Sequence, residues 1–132
     1  MTKNGKVLVC DIDGTIVELK KNDNQDYIEL NPIQSVVDKL IKLKNDGWTI
    51  IFNTSRNMRT YDENIELIKE NMLPVLIEWL DKHKVPYDEI HIGKPWCGKN
   101  GFYVDDKTIR PKEFIELSNE EIFQLLENDR LG

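Results

Sequence analysis

Short apolar runs that stop at polar or charged residues alternate along the chain with longer stretches whose apolar residues recur every three or four positions. Lys6–Cys10 reads KVLVC and gives way at once to Asp11, the pattern of a buried strand. Asn31-Pro32 offers a helix cap and a proline at the first helical position, ahead of Ile33, Val36, Val37, Leu40 and Ile41, and Asp46-Gly47 ends that helix. Trp48–Asn53, WTIIFN, predicts a second buried strand. Tyr61–Lys84 reads as helical, with Leu73, Leu76, Ile77 and Leu80 on one face and Pro74 kinking or restarting it. Short strands are expected at Glu89–Ile92 and Phe102–Val104, the latter again followed by acidic residues. Ser118-Asn119-Glu120-Glu121 is a capping box opening a last helix through Ile122, Leu125 and Leu126.

Strands alternating with helices predict an α/β fold, a central parallel sheet flanked by helices on both faces. Its 132 residues fit one domain, 1–132, with no visible linker or repeat. In such a sheet ligands bind beyond the carboxyl ends of the strands. The residues found there are Asp11 and Asp13, Thr54, Lys94, and the pair Asp105-Asp106, so groups from both ends of the chain are expected to converge. Gathered carboxylates repel by about 4 kcal/mol per pair at 4 Å and an effective dielectric near 20, so such a cluster calls for a cation. The donors on offer are oxygens, without paired His or Cys, which favours a hard ion such as Mg²⁺ over zinc.

Charge narrows the partners. Acidic residues number 24 against 18 basic ones, a net charge of −6, and no Lys/Arg stripe tracks a polyphosphate backbone, so nucleic acid is not expected. No run approaches the ~20 apolar residues of a membrane span, and Met1–Gly5 carries no leader-like stretch, so no membrane partner and a cytoplasmic location are the expectation. Cys10 and Cys97 form neither a disulfide framework nor a CxxC pair and read as reduced thiols. His83 and His91 read as surface or sheet residues.

Asp11-Ile12-Asp13-Gly14-Thr15 resembles the DxDGT signature of haloacid dehalogenase (HAD) phosphatases. Asn53-Thr54-Ser55-Arg56 looks like that family's second motif, Gly93-Lys94-Pro95 like the third, and Val104-Asp105-Asp106 like the acidic fourth. Taken singly, the later pieces read as a helix cap, a solvated loop and a turn; their occurrence in order behind DxDGT is what points to chemistry. The resemblance implies a Rossmann-like HAD fold and a Mg²⁺-dependent phosphatase. Asp11 would be the nucleophile that forms an aspartyl-phosphate, and Asp13 the general acid and base. Thr54 and Lys94 would hold and neutralise the phosphoryl group. Metal ligands would be Asp11, Asp13 through its carbonyl, and a motif-four carboxylate, with Asp106 direct and Asp105 beside it or the reverse.

Substrate contacts are expected from Ser55, Arg56, Asn57 and Arg59, with a helix start as the alternative reading. Ile16–Leu30 is too short for a folded cap and predicts a β-hairpin flap, so the site is expected to be capless and to act on a small phosphorylated substrate. Arg56–Tyr61, Glu78–His83 and Gly93–Gly98 resemble small bacterial phosphatases of capsule or surface-polysaccharide biosynthesis, implying a sugar or polyol phosphate. An uncovered site and the apolar Trp79 segment leave room for a homo-oligomer. Two other classes fit less well: a receiver-like phospho-signalling module, whose acidic pair follows its first strand, and a catalytically silent binding protein of the same fold.

Overall fold

The computed structural model describes residues 5–132, so the leader reading of Met1–Gly5 falls almost wholly outside the described residues. By contact density the chain forms two compact units, Met1–Trp96 and Cys97–Gly132.

The first unit is built on a parallel sheet of β1 (Val7–Cys10), β2 (Thr49–Thr54) and β3 (Glu89–Ile92), in the order β1-β2-β3. Cys10 lies opposite Phe52 and Thr54 opposite Ile92, so the carboxyl ends of all three strands share one edge. Ile50, Ile51 and Phe52 are consecutive, point alternately to opposite faces, and are all buried. Both faces of the central strand are therefore covered, as a parallel sheet requires. Asp88 fastens the other end of the sheet. Its backbone N–H donates to Ile50 O at 2.8 Å, its Oδ2 accepts from Ile50 N at 2.7 Å, and Lys44 pairs with its Oδ1.

Helix α1 (Gln34–Asn45) packs on β2 and buries Val36, Val37, Leu40 and Leu43. It begins two residues later than the sequence suggests, because Pro32 is drawn into an antiparallel bridge with Val17, where Glu18 N donates to Asn31 O at 3.1 Å and Ile33 N to Ile16 O at 2.8 Å. It ends at Gly47, whose left-handed φ of 93° suits the position after a helix.

The predicted helix over 61–84 forms as two. Asp62 and Glu63 take left-handed φ of 50° and 63°, and Asn64 then caps α2 (Ile65–Asn71), its side chain accepting from Leu67 N at 3.2 Å. α3 (Leu73–Lys82) restarts with Pro74 in its first turn, where a missing N–H costs nothing. α2 packs on β3 and on α3; α3 packs on a 3-10 turn at Tyr27–Glu29. Trp79 of α3 is buried, donating from Nε1 to Leu30 O at 2.8 Å. The expected β-hairpin over 16–30 is not formed. The polar stretch from Lys20 to Asp26 has no alternating apolar face to bury, and the segment folds as a loop tied by the Asp13–Val17 and Val17–Pro32 bridges and closed by the 3-10 turn.

In the second unit the expected strand at Phe102–Val104 is likewise not formed; the segment has no regular secondary structure and its side chains are exposed. α4 (Pro111–Glu116), which the sequence reading did not anticipate, buries Phe114, and α5 (Asn119–Asn128) buries Ile122. Ser118 caps α5, its Oγ accepting from Glu121 N at 3.1 Å and its N–H donating back to Glu121 Oε1 at 3.0 Å. Among the described residues no helix is long and apolar enough to cross a membrane.

Candidate active site at the carboxyl edge of the sheet

β1 runs out at Cys10 and hands Asp11 to the sheet edge. The chain then turns sharply: Thr15 N and Ile16 N both donate to Ile12 O, at 3.1 and 3.0 Å, and Gly14 N donates to Val17 O at 2.8 Å. Ile12, Ile16 and Val17 are fully buried and anchor the loop from below. Gly14 takes a φ of 80°, which an L side chain rarely adopts, and this turn leaves Asp11 and Asp13 at the rim.

Two cations meet these carboxylates. Lys94 Nζ lies 3.7 Å from Asp11 Oδ1. Arg56, only 5% exposed, grips Asp13 with both arms of its fork, Nε to Oδ2 at 3.1 Å and Nη2 to Oδ1 at 2.7 Å. Its guanidinium lies 4.0 Å from the centre of the Tyr27 ring, and Lys20 lies over the same ring at 3.9 Å. Nη1 of Arg56 is buried with no hydrogen-bond partner among the described residues.

Thr54 ends β2 in a buried position and organises both neighbours. Its Oγ1 accepts from Arg56 N at 3.0 Å, and its carbonyl accepts from Lys94 N at 3.1 Å. Lys94 follows Gly93, which has a φ of 84° and where an added Cβ would stand 2.7 Å from Ile65 Cδ1. Glycine adopts that left-handed bend without strain, and the bend returns Lys94 toward β2.

The electrostatics are uneven. Burial pushes the Asp11 carboxyl above its ordinary value, with Lys94 pulling it back and a backbone N–H at Ile12 helping, while nearby Asp13 adds a smaller upward push. Burial, then Asp13, also raises Tyr27, against Arg56. Beneath them the Cys10 thiol is pushed up to about 12 by burial, so it is a neutral packing group.

Among the sequence-predicted residues, Asp11, Asp13, Thr54, Arg56 and Lys94 thus share one contact network. Arg56 is engaged with Asp13 and Tyr27, an inward position that the expectation of a substrate contact did not foresee. Ser55 is half-buried, its carbonyl accepting from Met58 N at 3.0 Å, and Asn57 is half-buried with a left-handed φ of 64°. Arg59 is exposed, its guanidinium 5.9 Å from the Trp96 ring centre. Asp105 and Asp106 belong to the second unit, where both are exposed. There Asp105 Oδ1 accepts from Lys107 N at 2.9 Å in an Asx turn, and that bond, with help from Asp106, holds its carboxyl below the ordinary range. Tyr27 was given no site role from sequence; an aromatic at the end of a polar loop was the available signal.

Among the described residues no group of three or more His, Cys, Asp or Glu side chains stands together as a metal cluster. The donor chemistry around Asp11 still suits a hard cation. Burial raises the Asp11 carboxyl, a cost to its charge that a cation would offset, and none of the loop backbone hydrogen bonds described above ends on the Asp13 carbonyl oxygen.

A crystal structure of a target protein from Vibrio cholerae superposes with a TM-score of 0.88 at 46% identity, covering 95% of this chain and 99% of that one. The chain belongs to the family of that Vibrio protein. A chain of a Pnkp1/Rnl/Hen1 complex is aligned over 83% of this chain and 33% of its own length, with a TM-score of 0.48 at 20% identity. No protein-family model matches, and no curated protein matches.

Proposed function

We propose that this protein is a Mg²⁺-dependent phosphomonoester phosphatase of the HAD type, working through an aspartyl-phosphate. The observation that carries the reading is the pairing of Asp11 with Lys94 at 3.7 Å, next to Asp13 in the grip of Arg56, at the shared carboxyl ends of three parallel strands. A half-buried carboxylate facing one ammonium is a nucleophile placed beside the charge that would receive an incoming phosphoryl group.

In the first half-reaction an Asp11 oxygen attacks phosphorus, the P–O bond to the leaving group breaks, and Asp13 gives its proton to the departing oxygen. In the second, Asp13 takes a proton from water, whose oxygen attacks phosphorus and releases Asp11 and inorganic phosphate. The Arg56 fork uses one lone pair on each Asp13 oxygen and leaves the others for that proton. Thr54 Oγ1 has a hydrogen left to donate to a phosphoryl oxygen once it has accepted from Arg56 N. Asp11, the Asp13 carbonyl and a carboxylate of Asp105-Asp106 would hold Mg²⁺, which when bound supplies neutralisation of charge between phosphate and nucleophile.

The test is phosphate release from a panel of phosphorylated metabolites with and without Mg²⁺, weighted toward the sugar and polyol phosphates that the sequence resemblance implies. Turnover that needs Mg²⁺ and vanishes in Asp11→Asn supports the reading. A single stoichiometric labelling by acetyl phosphate without turnover would point to a receiver instead, and no reaction with either to a silent binding protein.

A further inference from the structure

We propose that Lys20 selects the substrate: its ammonium, held over the Tyr27 ring, receives a carboxylate on the leaving group, so that the preferred substrates are phosphomonoesters of small hydroxy acids. The inference rests on the phosphatase reading above and narrows its substrate class.

The loop between β1 and α1 puts this cation beside the groups that meet the leaving oxygen. Gln25 accepts through Oε1 from Lys21 N, and Gln25 N donates to Asn22 O at 3.4 Å, so the polar stretch folds back on itself and returns Lys20 over Tyr27. Lys20 Nζ lies 3.9 Å from the Tyr27 ring centre, and the Arg56 guanidinium carbon lies 4.0 Å from the same centre. Arg56 in turn holds Asp13, the group that gives its proton to the departing oxygen. One aromatic ring thus links Lys20 to that proton donor. Burial first, and then the Asp13 charge, raise the Tyr27 hydroxyl, so it keeps its proton and the ring adds no charge of its own.

Charge at this edge pairs off and leaves one group over. Lys94 faces Asp11, and Arg56 is forked onto Asp13. Lys20 has Glu18, Asp23, Asp26 and Glu29 in its own loop, yet among the described residues of the Met1–Trp96 unit no carboxylate pairs with it. A tyrosine ring holds a solvent-reached ammonium only weakly, so the charge stays available to an anion. In a chain of net charge −6 the overall field repels an anionic substrate, which leaves recognition to a few placed cations. With Lys94 placed for the phosphoryl group, the single ammonium left over matches a single carboxylate on the rest of the substrate.

Matched substrate pairs read the selection: 3-phosphoglycerate against glycerol 3-phosphate, and 6-phosphogluconate against sorbitol 6-phosphate, each differing by a carboxylate in place of a hydroxymethyl group. Wild type with Mg²⁺ should show the higher kcat/KM for the acid in at least one pair. Lys20→Gln should lower the acid-to-neutral ratio roughly fivefold, the scale of one solvent-accessible ion pair, mainly through KM. Lys20→Arg, which keeps the charge, should keep the ratio. No preference for the acid in either pair would overturn the proposal. So would a Lys20→Gln variant that slows both members equally, the result expected of a lysine that only packs on the ring.

Failure of the phosphatase reading is told apart by binding. If wild type releases no phosphate from any substrate, the same pairs are titrated by calorimetry into wild type and Lys20→Gln. A preference for the acid that depends on Lys20 would leave the selection standing and remove the phosphatase reading. Equal binding of the two members, or binding of neither, overturns the selection. Turnover of the neutral members alone would keep the phosphatase and remove Lys20 from its recognition of substrate.

Discussion

Arg56 holds Asp13 by both carboxylate oxygens, at 3.1 and 2.7 Å, while its guanidinium carbon lies 4.0 Å from the centre of the Tyr27 ring. A guanidinium committed to a carboxylate and to a ring is a positioning group, and its loss separates two roles. If it positions Asp13, Arg56→Lys should lower kcat by about 10²-fold with KM little changed, because one fork bond is gone and the carboxylate shifts. A rise in KM at constant kcat would mean that Arg56 grips substrate. Arg56→Ala should also destabilise by about 3 kcal/mol in urea unfolding, since it empties a buried site and strands the carboxylate.

Asp11 gives a pH signature. Its folded carboxyl lies above the ordinary value of 3.8, so between the two values the folded chain holds a proton that the unfolded chain has released. Stability therefore falls as pH rises through that interval and carries a constant penalty above it. Asp11→Asn should melt higher than wild type at pH 7. The gap should close as the pH drops to the ordinary carboxylate range, where the wild-type group is already neutral. A constant gap across pH would disprove the assignment.

Mg²⁺ should relieve the same penalty. A cation that binds the folded site alone stabilises by about 2.7 kcal/mol at one hundred times its Kd, so calorimetric Tm should climb with millimolar Mg²⁺ in wild type and stay flat in Asp11→Asn. A wild-type Tm indifferent to Mg²⁺ removes the metal from the mechanism.

The thiols should differ in the native protein. Cys10 is buried with its thiol pushed up to about 12, so a thiol reagent at pH 8 should spare it, while half-buried Cys97 reacts. Denaturant should bring the second equivalent. Two fast equivalents without denaturant would mean that β1 opens.

Trp79 ties helix α3 to the loop that carries Tyr27. Trp79→Phe keeps an aromatic ring but empties part of a buried site and leaves the buried Leu30 carbonyl without its donor, a loss of at least about 1–3 kcal/mol measurable by urea unfolding.

The first two strands were legible because each is a short apolar run that gives way to polar residues, VLVC before Asp11 and TIIF before Asn53-Thr54; the third, EIHI, was legible as a short alternation before Gly93-Lys94. From those runs alone Asp11, Thr54 and Lys94 could be placed at one edge. Periodicity did not show that Asp62 and Glu63 turn left-handed, since apolar spacing is blind to the sign of φ. Nor did it show that Pro32 would leave α1 for a bridge with Val17, because that competition is settled by a partner distant in sequence. Which of Arg56 and Arg59 turns inward depends on where Asp13 and Tyr27 stand in space. The strand expected at Phe102–Val104 has the right composition, but a strand also needs a neighbour, and composition does not supply one.

Gly93 shows how little of this edge is adjustable. A side chain there would only have to push aside the flexible end of Ile65, 2.7 Å from the added Cβ, but it would also have to hold a left-handed φ of 84° that side chains rarely adopt. Relaxing that φ swings the Lys94 loop and loosens the tether from Lys94 N to the Thr54 carbonyl. A survey of variants would thus penalise this glycine although it has no functional group to contribute; its role is to hold a bend.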